Sequence, residues 1–256
     1  MRPVTKPTFL TYSKPLLTVM IQEQTPDDAI NTIVSALYDG AEAFGIQLEW
    51  LGREYRDLDT LKRIFAACEN RPIYITSYRS ANSKGDTDDQ CVELLLRGLA
   101  AGATICDVMG DLYCPDPHEI TYDPDAVAKQ KALIDKIHEM GGEVLMSSHL
   151  HAFFTTEQTL EVARAQIERG TDLVKIVGYA QDEDQLLADF ATVHALKKAL
   201  DRPFLFLANG AYSRLLRQIG PELGVCMYLC VPDYRPGYSR EQPKLRSMQI
   251  VRTNLA

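Results

Sequence analysis

No apolar run in the 256 residues approaches the roughly 20 needed to cross a bilayer. The opening MRPVTKPTFLTYSKP lacks the apolar core of a secretory leader, and the expected setting is the cytoplasm. Lys and Arg are outnumbered, 27 against 35 Asp and Glu, for a formal net charge of -8, and they form no stripe of the kind that tracks a phosphate backbone. A broad nucleic-acid footprint is therefore excluded, whereas a small anion held by a few arginines is not. Neither GxGxxG nor GxxxxGK[ST] follows any strand-like segment, which removes the usual dinucleotide and P-loop signatures. The six cysteines include no CxxC pair, and Cys226 and Cys230 have no histidine at zinc-site spacing, so they are expected to be buried reduced thiols.

Also missing are a low-complexity linker, a break in composition and any short-period repeat. What remains is an ordinary globular composition, 46% hydrophobic and 24% charged, with ample apolar material for a core. Strand-like and helix-like segments alternate from end to end. Strands are predicted over 15–22, 43–51, 72–78, 104–110, 143–149, 172–179, 203–209 and 225–230. Helices are predicted over 25–40, 58–69, 86–102, 123–142, 155–170, 182–200 and 212–220, with a last one after RPGYSREQP. Thr25 with Pro26, and Asp123 with Pro124, are helix-start signals, and Gly40 and Gly141 are stops. Eight strand-then-helix units in one uninterrupted chain predict a single-domain (β/α)8 TIM barrel over 1–256 rather than an open doubly wound sheet.

In such a barrel, chemistry gathers at the C-terminal ends of the strands. Glu49 closes the second predicted strand, Arg79 follows the third, and Asp107 lies in the fourth. His149 ends the fifth, Lys175 lies in the sixth, DLVKIVGY, and Arg214 follows the seventh. Alternation puts Lys175 on the same face as Leu173, Val177 and Tyr179, and burying an unpaired ammonium is expensive. Taken singly, the lysine reads as one that snorkels to the rim, the histidine as incidental and the arginines as rim salt bridges. Six such side chains at corresponding strand ends converge on one small volume, a cost that a ligand site repays. In a cation-rich, low-dielectric site a lysine amine is expected to be neutral enough to form a Schiff base with a carbonyl. A histidine on the adjacent strand would then move the proton that the iminium acidifies.

LEW after the second strand, PIYITSYRS at the third, SSH at the fifth, DLVKI at the sixth and YSR after the seventh resemble, in order and spacing, the type I 3-dehydroquinate dehydratases. The likeness spans nearly the whole chain, and the histidine of SSH followed 26 residues later by the lysine of VKI is its most specific part. RPGYS is similar to the family's Pro-Gly-Gln substrate loop. The resemblance implies a Schiff-base lyase of the shikimate pathway, serving aromatic amino acid biosynthesis, that needs no metal or cofactor and commonly forms a homodimer. Its substrate is a small anionic carbocycle. By motif position Lys175 would form the imine and His149 would be the acid–base. Glu49 and Arg79 would hold ring hydroxyls, and Arg214 would pair with the carboxylate, with Asp107 in support.

Two departures stand out. The family's Glu-x-Arg reads Glu49-Trp50-Leu51, leaving Arg53 or Arg56 as the replacement for the missing arginine. Where the family carries Ser and Gln near the carboxylate, this chain offers Tyr234 and Tyr238. Chemistry retained with altered contacts admits a non-catalytic sensor of quinate-like ligands as a second reading. The His149-x-His151 pair raises a third, a metal-dependent barrel hydrolase, for which His118, His138 and His194 are poorly placed as further ligands. An aldolase-type Schiff-base enzyme is chemically allowed but carries no motif.

Overall fold

The computed structural model describes residues 7–11, 14–236 and 238–255, so parts of the N-terminal stretch and Gly237 of RPGYS lie outside the described residues. Each strand is followed by a helix in right-handed βα order, and the strands are β1 Leu16–Ile21, β2 Ala43–Gln47, β3 Ile73–Thr76, β4 Ile105–Met109, β5 Glu143–His149, β6 Leu173–Tyr179, β7 Phe204–Asn209 and β8 Met227–Cys230. The helices between and after them are α1 Pro26–Tyr38, α2 Leu58–Ala66, α3 Asp88–Ala100, α4 Pro124–Glu139, α5 Thr156–Glu168, α6 Glu183–Ala199, α7 Ser213–Leu223 and α8 Leu245–Leu255. All pairings are parallel in the order β7-β6-β5-β4-β3-β2-β1-β8. Across the remaining seam, the Cys226 amide donates to the Phe204 carbonyl at 2.9 Å, so the sheet forms a nearly closed (β/α)8 barrel. No helix among the described residues is long and apolar enough to cross a membrane.

Local chemistry explains why the helices start where they do. Thr25 accepts from the Asp28 amide ahead of Pro26, Asp123 accepts from the Ala126 amide, and Thr87 and Thr155 form reciprocal capping boxes with Gln90 and Gln158. One apolar cluster joins Met20, Ala43, Tyr74, Ile105, Leu145, Leu173, Leu205 and Met227, one residue from each strand. Gly45 makes room for this layer: a Cβ there would stand 2.2 Å from the Met20 sulfur and 3.0 Å from the Tyr74 ring. Leu17, Phe44, Ile75, Val108 and Tyr228 belong to a second cluster with apolar residues of α1, α2 and α3. None of the six cysteines is in a disulfide among the described residues, and all but Cys114 are buried.

Two strands end at least two residues earlier than predicted. β2 stops at Gln47, and Leu48–Trp50 turns as a single 3-10 turn, because Leu48 and Leu51 both fold into the outer core. β3 stops at Thr76, two residues before Tyr78. Both changes matter at the mouth of the barrel.

Candidate active site

A cavity of about 190 Å³ opens at the C-terminal end of the strands, lined by residues that include Tyr74, Thr76, Tyr78, His149, Lys175 and Arg217. A larger depression of about 390 Å³, walled by Pro15, Pro203 and Cys226, lies at the opposite end of the strands and gathers no comparable set of acid–base groups.

Lys175 is only 4% exposed. Its backbone is clamped by Gln166 of α5, which accepts from the Lys175 amide at 3.2 Å and donates to its carbonyl at 3.0 Å. Its Nζ donates to Tyr78 Oη at 2.6 Å, to Tyr74 Oη at 2.9 Å and to Asp107 Oδ2 at 3.1 Å. Both phenols donate in turn to Asp107 Oδ2. The nearest groups are thus one carboxylate and two phenols, in place of the cation-rich surroundings expected from sequence, and the burial is offset by an ion pair. Burial, reinforced by the Asp107 charge, holds both phenols well above the ordinary tyrosine range, so each stays a proton donor.

His149 sits one step higher. Ser147 is opposite Lys175 in the β5–β6 register, and His149 is opposite Val177. Its Nδ1 is 2.6 Å from Glu119 Oε2, which also accepts from its backbone amide at 3.2 Å, while Glu119 Oε1 lies 3.4 Å from Nε2 of His151. Although burial alone would raise it, the hydrogen bonds and charge of His149 hold the Glu119 carboxyl down at about 2. With Nδ1 committed to an anion, Nε2 is left for the cavity. Glu119 reaches this place through a left-handed backbone, φ 48°, a conformation non-glycine residues adopt at some cost. Its loop packs over β5 because Gly110 has no side chain: a Cβ there would lie 2.5 Å from the Glu119 carbonyl. Buried Arg169 and Gln130 hold the same loop by the Gly110 carbonyl at 2.8 and 3.2 Å.

The remaining sequence candidates are placed differently. Glu49 is fully buried in the turn after β2 and does not line the cavity. It accepts from Thr76 Oγ1 at 2.8 Å and Gln47 Nε2 at 3.1 Å, both of which are cavity residues. Burial pushes its carboxyl up to about 7. Arg79 leans away from the cavity to pair with Asp88 of α3 at 2.5 Å and Asp111 at 2.9 Å. Arg214 is exposed and donates to the Arg240 carbonyl at 2.9 Å, because in the first turn of α7 Ser213 and Leu216 face inward while Arg214 and Leu215 face outward. Arg56 is buried behind Glu49, donating to the carbonyls of Leu51 and Glu49, and Arg53 pairs with Asp86. Neither fills the place of the missing strand-two arginine. Tyr234 is exposed, and Tyr238 is buried with its hydroxyl accepting from the Gln22 amide at 3.2 Å and donating to Glu23 at 3.0 Å.

The structure supplies other groups instead. Arg217, one helical turn beyond Arg214 and only 5% exposed, lines the cavity. It donates to the Ala208 carbonyl at 2.8 Å and Asn209 Oδ1 at 2.7 Å, and no ion pair among the described residues includes it. Burial lowers its guanidinium to about 10. Ser239, Glu241 and Gln242 also line the cavity, so a serine and a glutamine stand at the loop where Tyr234 and Tyr238 were expected. The period-two run Tyr74, Thr76, Tyr78 was a signal for the inner face of β3, and a three-residue step from Arg214 was one for Arg217. Glu119 carried none, because only its loop's path brings it to His149. Among the described residues no group of three or more His, Cys, Asp or Glu side chains is placed to hold a metal ion.

Comparisons with known proteins follow this geometry. The type I 3-dehydroquinate dehydratase of Clostridium difficile, solved with covalently modified comenic acid, superposes with a TM-score of 0.81 at 16% identity, covering 96% of this chain and 94% of that one. The 3-dehydroquinate dehydratase of Geobacillus kaustophilus gives 0.80 at 13% identity, covering 99% and 96%. The HMG-CoA lyase of Bacillus subtilis gives 0.63 at 11%, covering 96% and 88%, which is likeness of fold. A search of curated proteins found no match. Residues 17–249 match the family described as type I 3-dehydroquinase, nearly the whole chain, and the chain belongs to that family of lyases.

Proposed function

We propose that the protein removes water from 3-dehydroquinate, or from a closely related carbocyclic hydroxy-ketone acid, through an imine on Lys175. The observation that carries the reading is a buried primary amine and a carboxylate-bound histidine opening on one cavity. Family membership supports the substrate class, a small carbocycle.

In this scheme the Lys175 amine hands a proton to Asp107 and adds to the substrate ketone. The resulting iminium is an electron sink that acidifies the neighbouring carbon. His149 Nε2 takes that proton and returns it to the departing hydroxyl, while Glu119 fixes the ring and stabilises the imidazolium that forms. Water then hydrolyses the imine and frees the amine. Arg217 is the partner assigned to the substrate carboxylate, since a buried cavity guanidinium that no ion pair among the described residues includes is matched by an anionic ligand. Thr76, Gln47, Ser239 and Gln242 are assigned to ring hydroxyls, with Glu49 orienting the first two from behind. Arg79 and Tyr238 act at one remove by tying loops, and no substrate contact is assigned to Arg214 or Tyr234.

Dehydration of 3-dehydroquinate, followed by the appearance of the conjugated enone, tests the substrate. Borohydride added during turnover is expected to leave a reduced adduct on the peptide containing Lys175 and none on Lys175→Ala. No adduct, with Lys175→Ala as active as the parent, overturns the scheme. Calorimetric binding without turnover would assign the sensor reading, which the displaced Arg79 and Arg214 favour. The family resemblance also supports a homodimer acting in the cytoplasm, and sedimentation velocity tests the dimer.

A further inference from the structure

The corner of the cavity assigned to the substrate carboxylate already holds a carboxylate. Arg217 is fixed there by the end of β7, donating to the Ala208 carbonyl at 2.8 Å and to Asn209 Oδ1 at 2.7 Å. Gly210 then carries the chain out of the strand at φ 97°, so close to Ala180 that a Cβ would lie 2.5 Å from its carbonyl oxygen, and the Gly210 amide donates to Glu241 Oε1 at 3.1 Å. Glu241 belongs to the loop between β8 and α8, is half-buried and lines the same cavity as Asn209 and Arg217. The helix that follows Gly210, α7, has neither a side-chain cap nor an acidic residue in its first turn, so its positive end carries no carboxylate of its own. Burial lowers the Arg217 guanidinium and the charge of Glu241 opposes that fall, although no ion pair among the described residues joins the two. The other basic groups of the cavity are matched elsewhere, Lys175 by Asp107 and His149 by Glu119. Glu241 is thus the one Asp or Glu among the lining residues, and it stands within electrostatic reach of the guanidinium. A second carboxylate brought to this corner meets like charge in a site largely withdrawn from water, where the juxtaposition is expensive.

We infer that Glu241 is a specificity-determining residue that competes with the substrate's carboxylate for Arg217 and the Gly210 amide; this rests on the assignment of Arg217 above. The ligand class that follows is a hydroxy acid with a single carboxylate, which must take both donors from Glu241. The side chain can give them up because its loop is held independently. Tyr238 anchors that loop on Gln22 and Glu23, Ser239 Oγ accepts from the Glu241 amide at 3.3 Å, and the Val231 amide donates to the Pro243 carbonyl at 2.9 Å. Uncharged ring polyols meet no such competition, since a hydroxyl can donate to Glu241 where a carboxylate cannot. Glu241 therefore sets how far the site favours an acid over its uncharged analogue, a ratio that Arg217 alone would push further towards the acid.

The test is calorimetric binding of quinate and of its uncharged methyl ester. Quinate is a hydroxy acid without the ketone, so it reads this corner independently of imine formation on Lys175. Glu241→Gln is expected to bind quinate on the order of 10-fold tighter than the parent does and the ester with unchanged affinity, so that the preference for acid over ester rises by the same factor. Glu241→Ala, which also frees the Gly210 amide, is expected to move quinate affinity in the same direction and serves should Glu241→Gln fail to fold. Quinate bound by Glu241→Gln no more tightly than by the parent, or an equal gain for the ester, overturns the inference, as does quinate that binds neither protein. Arg217→Lys separates the inference from the assignment it rests on. Unchanged quinate affinity in that variant removes the carboxylate assignment and this inference with it, whereas weakened binding there with no gain in Glu241→Gln removes this inference alone.

Discussion

At Lys175 the physical problem is charge burial, and the structure solves it with Asp107 and two phenols rather than with exposure. Such a pair stabilises little on its own, but breaking it from one side is costly, because the surviving charge has neither water nor partner. Lys175→Ala is therefore expected to lose about 3–5 kcal/mol of unfolding free energy. Adding Asp107→Asn, which removes the orphaned charge, is expected to recover part of that loss. Denaturant unfolding of the two single variants and the double variant reads the coupling, and additive losses would contradict it. The lysine itself was legible from one line of sequence, since a charge amid Leu173, Val177 and Ile176 persists only where the fold supplies it with a partner. Those partners were less legible: Tyr74 and Tyr78 look like routine strand aromatics until the barrel closes and brings β3 across from β6.

Among the elements, β2 shows how a strand end redirects chemistry. Gly45 lets β2 lie against Met20 and Tyr74, and the chain then turns at Leu48 so that Glu49 drops behind Thr76. Gly45→Ala is expected to destabilise by about 1–3 kcal/mol, since the added methyl must displace the Met20 side chain and presses on a Tyr74 ring fixed by its hydroxyl bonds. A shift of the urea midpoint with unchanged slope checks it. Sequence periodicity located all eight strands and their helices, with ends that shifted by a few residues, because hydrophobic alternation marks the interior of an element better than its ends. The α7 arginines illustrate the limit. Motif position favoured Arg214, while the helix's start at Ser213 turns that residue outward and Arg217 inward.

For the molecule as a whole, two buried carboxylates tilt stability with pH. Glu49 and Asp189 are both pushed up to about 7 by burial. Folded-state values raised above those of the unfolded chain mean that the folded state holds extra protons between about pH 4 and 7. Their contribution is fully present below that window and is lost as pH rises through about 7. Glu49→Gln keeps the shape and removes one of the two titrations, so its stability is expected to fall less across the window, by up to about 3 kcal/mol. Thermal or chemical denaturation at pH 5 and pH 8 measures the difference, and parallel slopes for parent and variant would contradict it. By itself the sequence determined the alternation of strands and helices, hence the barrel, and with it the placing of Lys175 and His149 on neighbouring strands; these follow from local periodicity and capping, which any short window contains. Only the tertiary structure decided which arginine faces the cavity, that Glu119 rather than a strand residue binds His149, and that Asp107 and two tyrosines surround the amine. Those contacts join residues 30 to 101 positions apart, and their geometry is set by barrel closure and loop path, which no local pattern encodes.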